Sequence, residues 1–331
     1  MRVTVVGAGA IGAYVGAALT RGGTDVTLIA RGQHLQAMRE RGVRVLSPRG
    51  NFEAYPKATD DLDAVGDADV VFLALKANSL QALAPRIGAA LGSDAAVIAA
   101  QNGIPWWYFQ SHGGPLEGTV LEFVDPGGTI SRSIPSNAVV GCVIYSSAEI
   151  IEPGVIRHIE GTRFPIGEPD GAISERCLSI AEAFKAGGLK APVMRKLRDH
   201  IWLKLVGNVA FNPVTALTGA TLGELATQPE MVDLLGHIFD ECGEIGSRLG
   251  IEFPISPKRR LEAGFEVGDH KTSMLQDLEA GKPLEIDCLT GAVLELAAIL
   301  KVPAVHTRTV HACIKLLDAL RTSIPVTAAE A

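Results

Sequence analysis

The sequence is poor in the residues that mark several large classes of protein. Only 5% of it is aromatic, its five cysteines are odd in number and widely spaced, and neither a C-x-x-C pair nor an H-E-x-x-H motif occurs. These absences argue against a disulfide scaffold and against a zinc site, and we expect no metal. Scattered single cysteines are typical of a reducing compartment.

Long hydrophobic runs and basic clusters are also missing. No run reaches the roughly 20 residues that span a membrane, and Met1 leads straight into an apolar strand rather than into a signal peptide. The formal net charge is −7 and no Lys/Arg-rich face stands out, which argues against nucleic acid or an anionic membrane as the partner. We therefore expect a cytoplasmic protein that acts on a small molecule.

The length and the pattern predict two domains. The chain has 331 residues, more than one hydrophobic core usually serves. Strand and helix patterns alternate up to about Lys196, and only helical periodicity follows. We predict an α/β Rossmann-like dinucleotide-binding domain over residues 1–195, an all-α domain over 196–322 and a C-terminal tail over 323–331.

A glycine-rich stretch opens the chain. An apolar run is followed by Gly7, Gly9 and Gly12 in G-x-G-x-x-G spacing and then by small residues at helical periodicity. This order predicts a strand, a tight turn and a helix whose N-terminus binds a pyrophosphate. Gly7 would allow the turn, Gly9 the approach of the phosphates, and Gly12 close packing on the sheet. The alternative is a glycine-rich turn of any α/β protein. The backbone predicted to bind the cofactor here comprises Gly7, Gly9, Ala10, Ile11 and Gly12.

The end of the second predicted strand, residues 25–30, indicates which dinucleotide binds. An NAD enzyme usually carries an acidic residue there for the ribose 2′-hydroxyl, whereas this chain has Arg31. A carboxylate would repel a 2′-phosphate and a guanidinium binds it, so we predict NADP (NADPH) as the cofactor. One such charged hydrogen bond is worth roughly 1.5–3 kcal/mol, about ten- to a hundredfold in affinity. The alternative is a solvated surface arginine.

Two further apolar runs, residues 68–75 and 95–100, lack alternation, which is typical of parallel strands covered on both faces. Ligands bind just past the carboxyl ends of such strands. Lys76 follows the first run, and Asn102 follows the second, so both are candidate site residues. Asn102 precedes a glycine, and an Asn-Gly pair forms plain turns equally well.

Between and around these runs the pattern is less regular. Residues 42–57 are predicted to form a β-hairpin, and a second hairpin over residues 139–159 would extend or cap the sheet. Residues 104–135 look like a loop that contains the aromatic run Trp106-Trp107-Tyr108-Phe109. These rings would wall a pocket, contact a partner or simply pack in the core.

One predicted helix of the second domain carries an unusual polar stripe. Over residues 201–217 its only charge is Lys204, and Asn208 and Asn212 follow at intervals of four on the same face. A stripe that merely touches water is the alternative, although surface helices favour several charges. A lysine partly withdrawn from water can act as a general acid when a neighbour orients it.

The segment TSMLQDLEAGKPLEID supplies the candidate carboxylate. Ser273 and Gln276 have capping-box spacing, so Ser273 either caps a helix or binds substrate. Glu285 is predicted in the first turn of the next helix, where the helix dipole favours a carboxylate in any case. Periodicity alone does not decide between a structural and a catalytic role.

These pieces in this order resemble the ketopantoate reductase (2-dehydropantoate 2-reductase) family over nearly the whole chain. The matching pieces are GAGAIG, the arginine after the second strand, LKAN, QNG, KLVGNVAFNP and SMLQDLEAGKPLEID. The resemblance implies a helical domain like that of 6-phosphogluconate dehydrogenase and an NADPH-dependent reduction of 2-dehydropantoate to pantoate in pantothenate biosynthesis.

The resemblance also implies roles for single residues. Lys204 would protonate the ketone oxygen while NADPH delivers hydride, and Glu285 would bind the substrate hydroxyl and hold the lysine. Lys76 would lie at the cofactor edge of the cleft expected between the two domains. Asn102 would lie beside the nicotinamide and Lys204 and would contact both cofactor and substrate. The remaining substrate contacts would be Asn208, Asn212 and Ser273.

The chain departs from the family pattern in two places. The segment 106–135 is longer than expected, and Leu284 replaces the threonine before the glutamate. A reductase of another 2-oxo acid or ketone and a non-catalytic NADPH sensor are therefore the alternative functions. Helical second domains of this kind often dimerise, so a homodimer is the assembly to look for.

Overall fold

The computed structural model describes residues 1–323, so nearly all of the predicted tail, 324–331, lies outside the described residues. The chain separates into two compact units. Unit 1 comprises residues 1–120 and 125–197, and unit 2 comprises residues 121–124 together with the chain from Arg198 onward. The short stretch Leu121–Val124 thus belongs to the helical unit although it lies in the middle of the α/β sequence.

Unit 1 is an α/β unit in which strands and helices alternate. Its elements are β1 (Arg2–Val6), α1 (Ala10–Arg21), β2 (Asp25–Ile29), α2 (Gly32–Arg41), β3 (Val43–Leu46), β4 (Phe52–Ala54), β5 (Lys57–Thr59), β6 (Val70–Leu73), α3 (Ala77–Ala90), β7 (Ala96–Ala99), α4 (Thr129–Ser133), β8 (Val139–Cys142), β9 (Tyr145–Glu152), β10 (Val155–Arg163), β11 (Ile166–Gly167) and α5 (Glu175–Ala186).

The main sheet has seven strands in the order β11-β8-β7-β6-β1-β2-β5. All neighbours are parallel except the short edge strand β11, which is antiparallel to β8. Every residue of β6, β7 and β8 is buried, because helices cover both faces of a parallel sheet. The strand order reverses direction between β1 and β6, and ligands bind at such switch points. The predicted Rossmann-like fold is confirmed.

The two hairpins form a second sheet rather than an extension of the first. Its order is β4-β3-β10-β9, with β10 parallel to β3 and antiparallel to β9. Helix α1 contacts this sheet through β3, β4, β9 and β10 and contacts the main sheet through β1 and β2. Residues Gly12 to Leu19 are consequently all buried. The second hairpin therefore caps α1.

The rest of the chain is helical, and no strand occurs between residues 198 and 323. The helices are α6 (Leu197–Thr218), α7 (Leu222–Ala226), α8 (Pro229–Arg248), α9 (Pro257–Phe265), α10 (Ser273–Glu279), α11 (Ala292–Leu300) and α12 (Val305–Ser323). The sequence pattern missed α7, which a Thr221–Glu224 capping box starts. Among residues 1–323, no helix combines the length and apolarity needed to cross a membrane.

Candidate functional site

The glycine-rich turn joins β1 to α1, and each glycine is needed for a different reason. Gly7 has φ of +93°, a conformation that other residues rarely adopt. Nothing lies within 4 Å of the position a Cβ would take on Gly9, so this side of the turn is open. A Cβ on Gly12 would lie 2.3 Å from the Gly7 carbonyl oxygen, so a side chain there does not fit.

The N-terminus of α1 presents free amide donors beside this open space. The amide of Ala13 donates to the Gly9 carbonyl (2.8 Å), so the amides of Ala10, Ile11 and Gly12 precede the first bond within the helix. Gly9 is the N-cap and supplies no side-chain acceptor. The arrangement is suited to an anion, which the helix dipole also favours.

Arg31 lies at the end of β2, next to β1, and is the N-cap of α2. It is exposed, and among residues 1–323 no hydrogen bond or ion pair engages its guanidinium. The Nδ1 atom of nearby His34 accepts a hydrogen bond from the Gly154 amide (3.0 Å), and burial lowers the pKa of His34. His34 is therefore neutral, and Arg31 is the residue of this segment that attracts an anion.

Lys76 and Asn102 follow neighbouring strands at the same edge of the main sheet. Strands β6 and β7 pair in register up to Leu73 and Ala99. The Gln101 side-chain amide donates to the Leu73 carbonyl (3.0 Å), which ties the two strand ends together. Lys76 is the N-cap of α3, and Asn102 lies partly buried in a bend. Both lie past carboxyl strand ends, as the sequence predicted.

The aromatic run of the long connection lies in the core of unit 1. The exposed fractions of Trp106, Trp107, Tyr108 and Phe109 are 5%, 1%, 1% and 1%. Trp107 packs against β8, where a Cβ on Gly141 would lie 2.3 Å from the indole ring. Of the three roles considered for these residues, packing is the one their burial supports.

A later part of the same connection belongs to unit 2. The Glu295 carboxylate of α11 accepts hydrogen bonds from the amides of Glu122 (2.8 Å) and Phe123 (3.0 Å). The Phe123 ring covers Gly291, where a Cβ would lie 2.7 Å from the ring. The long connection therefore docks four residues onto the helical unit.

Helix α6 carries the polar stripe that the sequence indicated. Over residues 201–216 every position is buried except Leu203, Lys204 and Asn208, which are partly exposed. Asn212, the third member of the predicted stripe, is only 5% exposed. The Lys204 ammonium and the Asn208 amide, one helical turn apart, are thus the partly exposed polar groups of this otherwise buried stretch.

Glycines let the neighbouring helices approach α6 closely. The indole of Trp202 is fully buried and donates to the Cys242 carbonyl of α8 (3.1 Å). A Cβ on Gly246 of α8 would lie 2.3 Å from the indole nitrogen, and one on Gly264 of α9 would lie 2.3 Å from the Phe211 ring. This packing fixes the rotation of α6 and with it the direction of Lys204.

Arg260 of α9 is a candidate that the sequence pattern did not reveal. Its guanidinium lies against the backbone of α6, because a Cβ on Gly207 would lie 2.8 Å from its Nη2 atom. Gly207 immediately precedes Asn208 and lies one turn after Lys204. The only signal in the sequence is a glycine in the middle of a long helix, which typically marks a close contact.

Thr272, and not Ser273, caps α10. The Thr272 hydroxyl accepts from the Leu275 amide and lies 2.6 Å from the Thr215 hydroxyl of α6. The cap interpretation of Ser273 is therefore wrong, because the buried pair of threonines fixes the helix start one residue earlier. Ser273 is exposed at the first position of α10, which this threonine pair holds beside α6.

Glu285 lies before the next helix rather than in its first turn. The helix starts with a π-helical turn, Asp287–Gly291, and Ile286 is its N-cap. Glu285 is partly buried, and its charge acts on the Cys288 thiol, whose pKa is raised first by burial and then by this carboxylate. Single π-turns occur often at functional sites. The predicted position was wrong because local spacing does not distinguish a π-turn from an α-turn.

The structure thus collects the predicted residues in two groups. In unit 1 the glycine turn, Arg31, Lys76 and Asn102 follow the carboxyl ends of β1, β2, β6 and β7. In unit 2, α6 carries Lys204, Asn208 and Asn212, and the segment attached to it through Thr215 and Thr272 carries Ser273 and leads to Glu285.

Comparison with known proteins agrees for both units. A family model described as "Ketopantoate reductase PanE/ApbA" matches residues 3–171, and one described as "Ketopantoate reductase PanE/ApbA C terminal" matches residues 196–318. The 2-dehydropantoate 2-reductase of Mesorhizobium japonicum is 45% identical over 97% of this chain and 98% of its own. That of Halobacterium salinarum is 30% identical over 93% and 96%.

Solved structures share the fold. A Ralstonia solanacearum protein described as a candidate ketopantoate reductase aligns with a TM-score of 0.91 at 38% identity, over 97% of this chain and 98% of that one. A D-mandelate dehydrogenase solved with NADH and anilino(oxo)acetate aligns with a TM-score of 0.82 at 19% identity, over 97% and 100%. The second likeness concerns the fold alone.

Proposed function

Because this chain belongs to the ketopantoate reductase family, we propose that it reduces 2-dehydropantoate (ketopantoate) to pantoate with NADPH, a step of pantothenate biosynthesis. The observation that carries the proposal is the stripe on α6. Lys204 and Asn208 are the polar groups that a 16-residue buried stretch leaves partly exposed. Binding a dinucleotide requires neither residue, whereas reducing a ketone requires a proton donor.

The residues of unit 1 fit a nicotinamide dinucleotide. The open space at Gly9 and the amide donors of Ala10, Ile11 and Gly12 suit a pyrophosphate. Arg31, exposed and without a carboxylate partner within residues 1–323, suits the 2′-phosphate and favours NADPH over NADH. Lys76 and Asn102 would contact the nicotinamide half, past the carboxyl ends of β6 and β7.

The chemistry assigned to unit 2 is proton donation and substrate positioning. When bound, the cofactor would supply a hydride for the substrate carbonyl carbon, so negative charge would develop on the carbonyl oxygen. The Lys204 ammonium stabilises this charge and donates the proton. Glu285 accepts a hydrogen bond from a substrate hydroxyl and orients the lysine, while Asn208, Asn212 and Ser273 bind the remaining oxygens of the 2-oxo acid.

The experiment follows the absorbance of NADPH with purified protein and ketopantoate, repeated with NADH and with a panel of other 2-oxo acids that includes an aromatic one. Fast turnover that prefers NADPH and ketopantoate is expected. If the protein reduced another 2-oxo acid faster than ketopantoate, that acid would replace ketopantoate as the proposed substrate. Tight NADPH binding without turnover of any of them would instead support a sensor. Light scattering on the same sample tests the homodimer.

A further inference from the structure

A cavity lies in unit 1, between α1, the β3–β4 hairpin, β10 and the end of α5. Its volume is about 160 Å³. The residues that matter for its chemistry are Tyr14, Arg21, Ser47, Arg49, Phe52 and Thr162, all of which line it. None of these residues belongs to the dinucleotide or substrate groups described above, although α1 also carries the glycine turn.

The charge of this cavity is positive. The Arg21 guanidinium lies 4.0 Å above the centre of the Phe52 ring and donates to the Gly187 carbonyl (3.1 Å). Within residues 1–323, neither Arg21 nor Arg49 makes an ion pair with a carboxylate. Helices α1 and α5 both end here, so their partial negative charges would repel an anion, and Arg21 offsets this charge through its bond to Gly187.

Two buried hydroxyl groups face the same space. Tyr14 is 4% exposed and Thr162 is 8% exposed, and both line the cavity. In the described part of the chain neither side-chain hydroxyl makes a hydrogen bond. Burial raises the pKa of Tyr14, while Arg49 and Arg21 act in the opposite direction, so both cations lie close to the phenol. Although the two residues are largely buried, neither hydroxyl oxygen is itself sealed from the cavity, so both can donate a hydrogen bond to a molecule in it.

The wall of the cavity is held by a chain of hydrogen bonds. The Arg49 amide donates to the Ser47 hydroxyl (3.1 Å), which is 2.8 Å from Nδ1 of His158. The other ring nitrogen of His158 is 2.6 Å from the Gly161 carbonyl, an acceptor only, so Nε2 carries the proton and Ser47 donates to Nδ1. The His158 ring stacks on Tyr14 at 4.4 Å and thereby fixes the phenol.

We propose that this cavity is a binding site for a small oxyanion, a phosphate group either free or as the monoester of a small metabolite. Two guanidinium groups and two hydroxyls offer donors to three or more oxygens, which a phosphate provides and a carboxylate does not. A cavity of about 160 Å³ holds such a group and a short substituent, since one water takes roughly 30 Å³.

The test is calorimetric titration of the full chain with inorganic phosphate, glycerol 3-phosphate and acetate at constant ionic strength. Arg49→Met removes one cation at an exposed position, where we expect little effect on folding. Tyr14→Phe keeps the stack on His158 while removing the hydroxyl. Arg44→Met is the matched control, because Arg44 is an exposed arginine of β3 that does not line the cavity. Arg31→Ala shows whether the measured phosphate binds at the dinucleotide turn rather than in the cavity.

At this cavity we expect one phosphate per chain, with its affinity reduced roughly tenfold or more by Arg49→Met and by a smaller factor in Tyr14→Phe. Arg44→Met and Arg31→Ala should leave the affinity unchanged, and acetate should bind far more weakly. Tighter binding of glycerol 3-phosphate would identify a monoester as the ligand, and equal or weaker binding would identify free phosphate. The proposal would be overturned if phosphate did not bind saturably. It would also be overturned if Arg44→Met weakened phosphate binding as much as Arg49→Met does, or if only Arg31→Ala weakened it. None of these outcomes depends on turnover.

Discussion

The Arg260 guanidinium of α9 lies against the backbone of Gly207 in α6, where a Cβ would come within 2.8 Å of its Nη2 atom. The absence of a side chain at Gly207 therefore lets a second cation approach the stretch of α6 that carries Lys204 and Asn208. A substrate carboxylate would be bound by such a guanidinium.

Gly207→Ala tests this relationship. Alanine is favoured over glycine inside a helix by about 1 kcal/mol. The atom that the new methyl group would meet is Nη2 of Arg260, at the end of a flexible side chain that can move aside. We therefore expect an unchanged or raised melting temperature. We expect KM for the 2-oxo acid to rise at least about tenfold because Arg260 is displaced. Gly236→Ala, in α8 with nothing within 4 Å of its added Cβ, is the control. An unchanged KM would contradict a role for Arg260.

Lys204→Ala is expected to lower kcat by roughly 10²- to 10⁴-fold, because general acid catalysis contributes about this much. The Kd for NADPH should stay the same, since the residues that we propose to bind the cofactor lie in unit 1. Stopped-flow reduction and fluorescence titration measure the two quantities. Lys258→Ala removes an exposed lysine of α9 and should change neither. A kcat of Lys204→Ala within a few-fold of the parent would remove Lys204 from the mechanism.

Arg31→Ala is expected to weaken NADPH binding by about ten- to a hundredfold and to leave NADH almost unaffected. The reason is that the 2′-phosphate is the difference between the two cofactors. Titration of each cofactor against parent and variant measures the ratio. Equal losses for both would exclude a contact to the 2′-phosphate.

Two glycines of the first turn form a matched pair. Gly9→Ala meets no atom of the protein within 4 Å, so stability should be unchanged while dinucleotide affinity falls by roughly tenfold or more. Gly12→Ala would place its Cβ 2.3 Å from a backbone oxygen, so the melting temperature should fall by several degrees. Thermal melts and cofactor titrations distinguish the two. A Gly9→Ala variant with undiminished affinity would mean that the pyrophosphate does not approach there.

Acidification should destabilise the protein through His34. Burial lowers its pKa in the folded state, and Nδ1 already accepts a bond from the Gly154 amide. The unfolded chain then binds more protons below the ordinary histidine pKa, so the free energy of unfolding falls as the pH drops from about 7.5 to 5.5. His311, whose pKa burial also lowers, acts with the same sign. Urea denaturation should show a shallower pH dependence in His34→Gln, and an unchanged slope would contradict this assignment.

Local patterns predicted the elements but not all of their partners. The unbroken apolar runs of β6 and β7 and the glycine spacing at Gly7 identified the parallel sheet and its turn, because these signals lie within a few residues. The pairing of β3 with β10 joins segments about a hundred residues apart and depends on the whole fold. The sequence predicted only that the second hairpin would extend or cap the sheet, and it did not predict this pairing.

The site residues show the same difference between features that local patterns predict and features that depend on the whole fold. The periodicity of α6 indicated Lys204 and Asn208, since burial repeats with the helical turn. Thr272 and Ser273 are adjacent possible caps, and only the contact of Thr272 with Thr215 decides between them. Arg260 reaches α6 from another helix, so no spacing along the chain reveals it.

The burial of α1 between two sheets has a consequence for protein engineering. From Gly12 to Leu19 the helix has no face on which substitutions are free, so libraries that vary it would consist largely of unfolded variants. Exchange of cofactor preference is better sought at Arg31, Gly32 and Gln33, which are exposed and lie outside this double layer. The helix proposed to bind the pyrophosphate is thus also one whose buried residues leave little room for substitution.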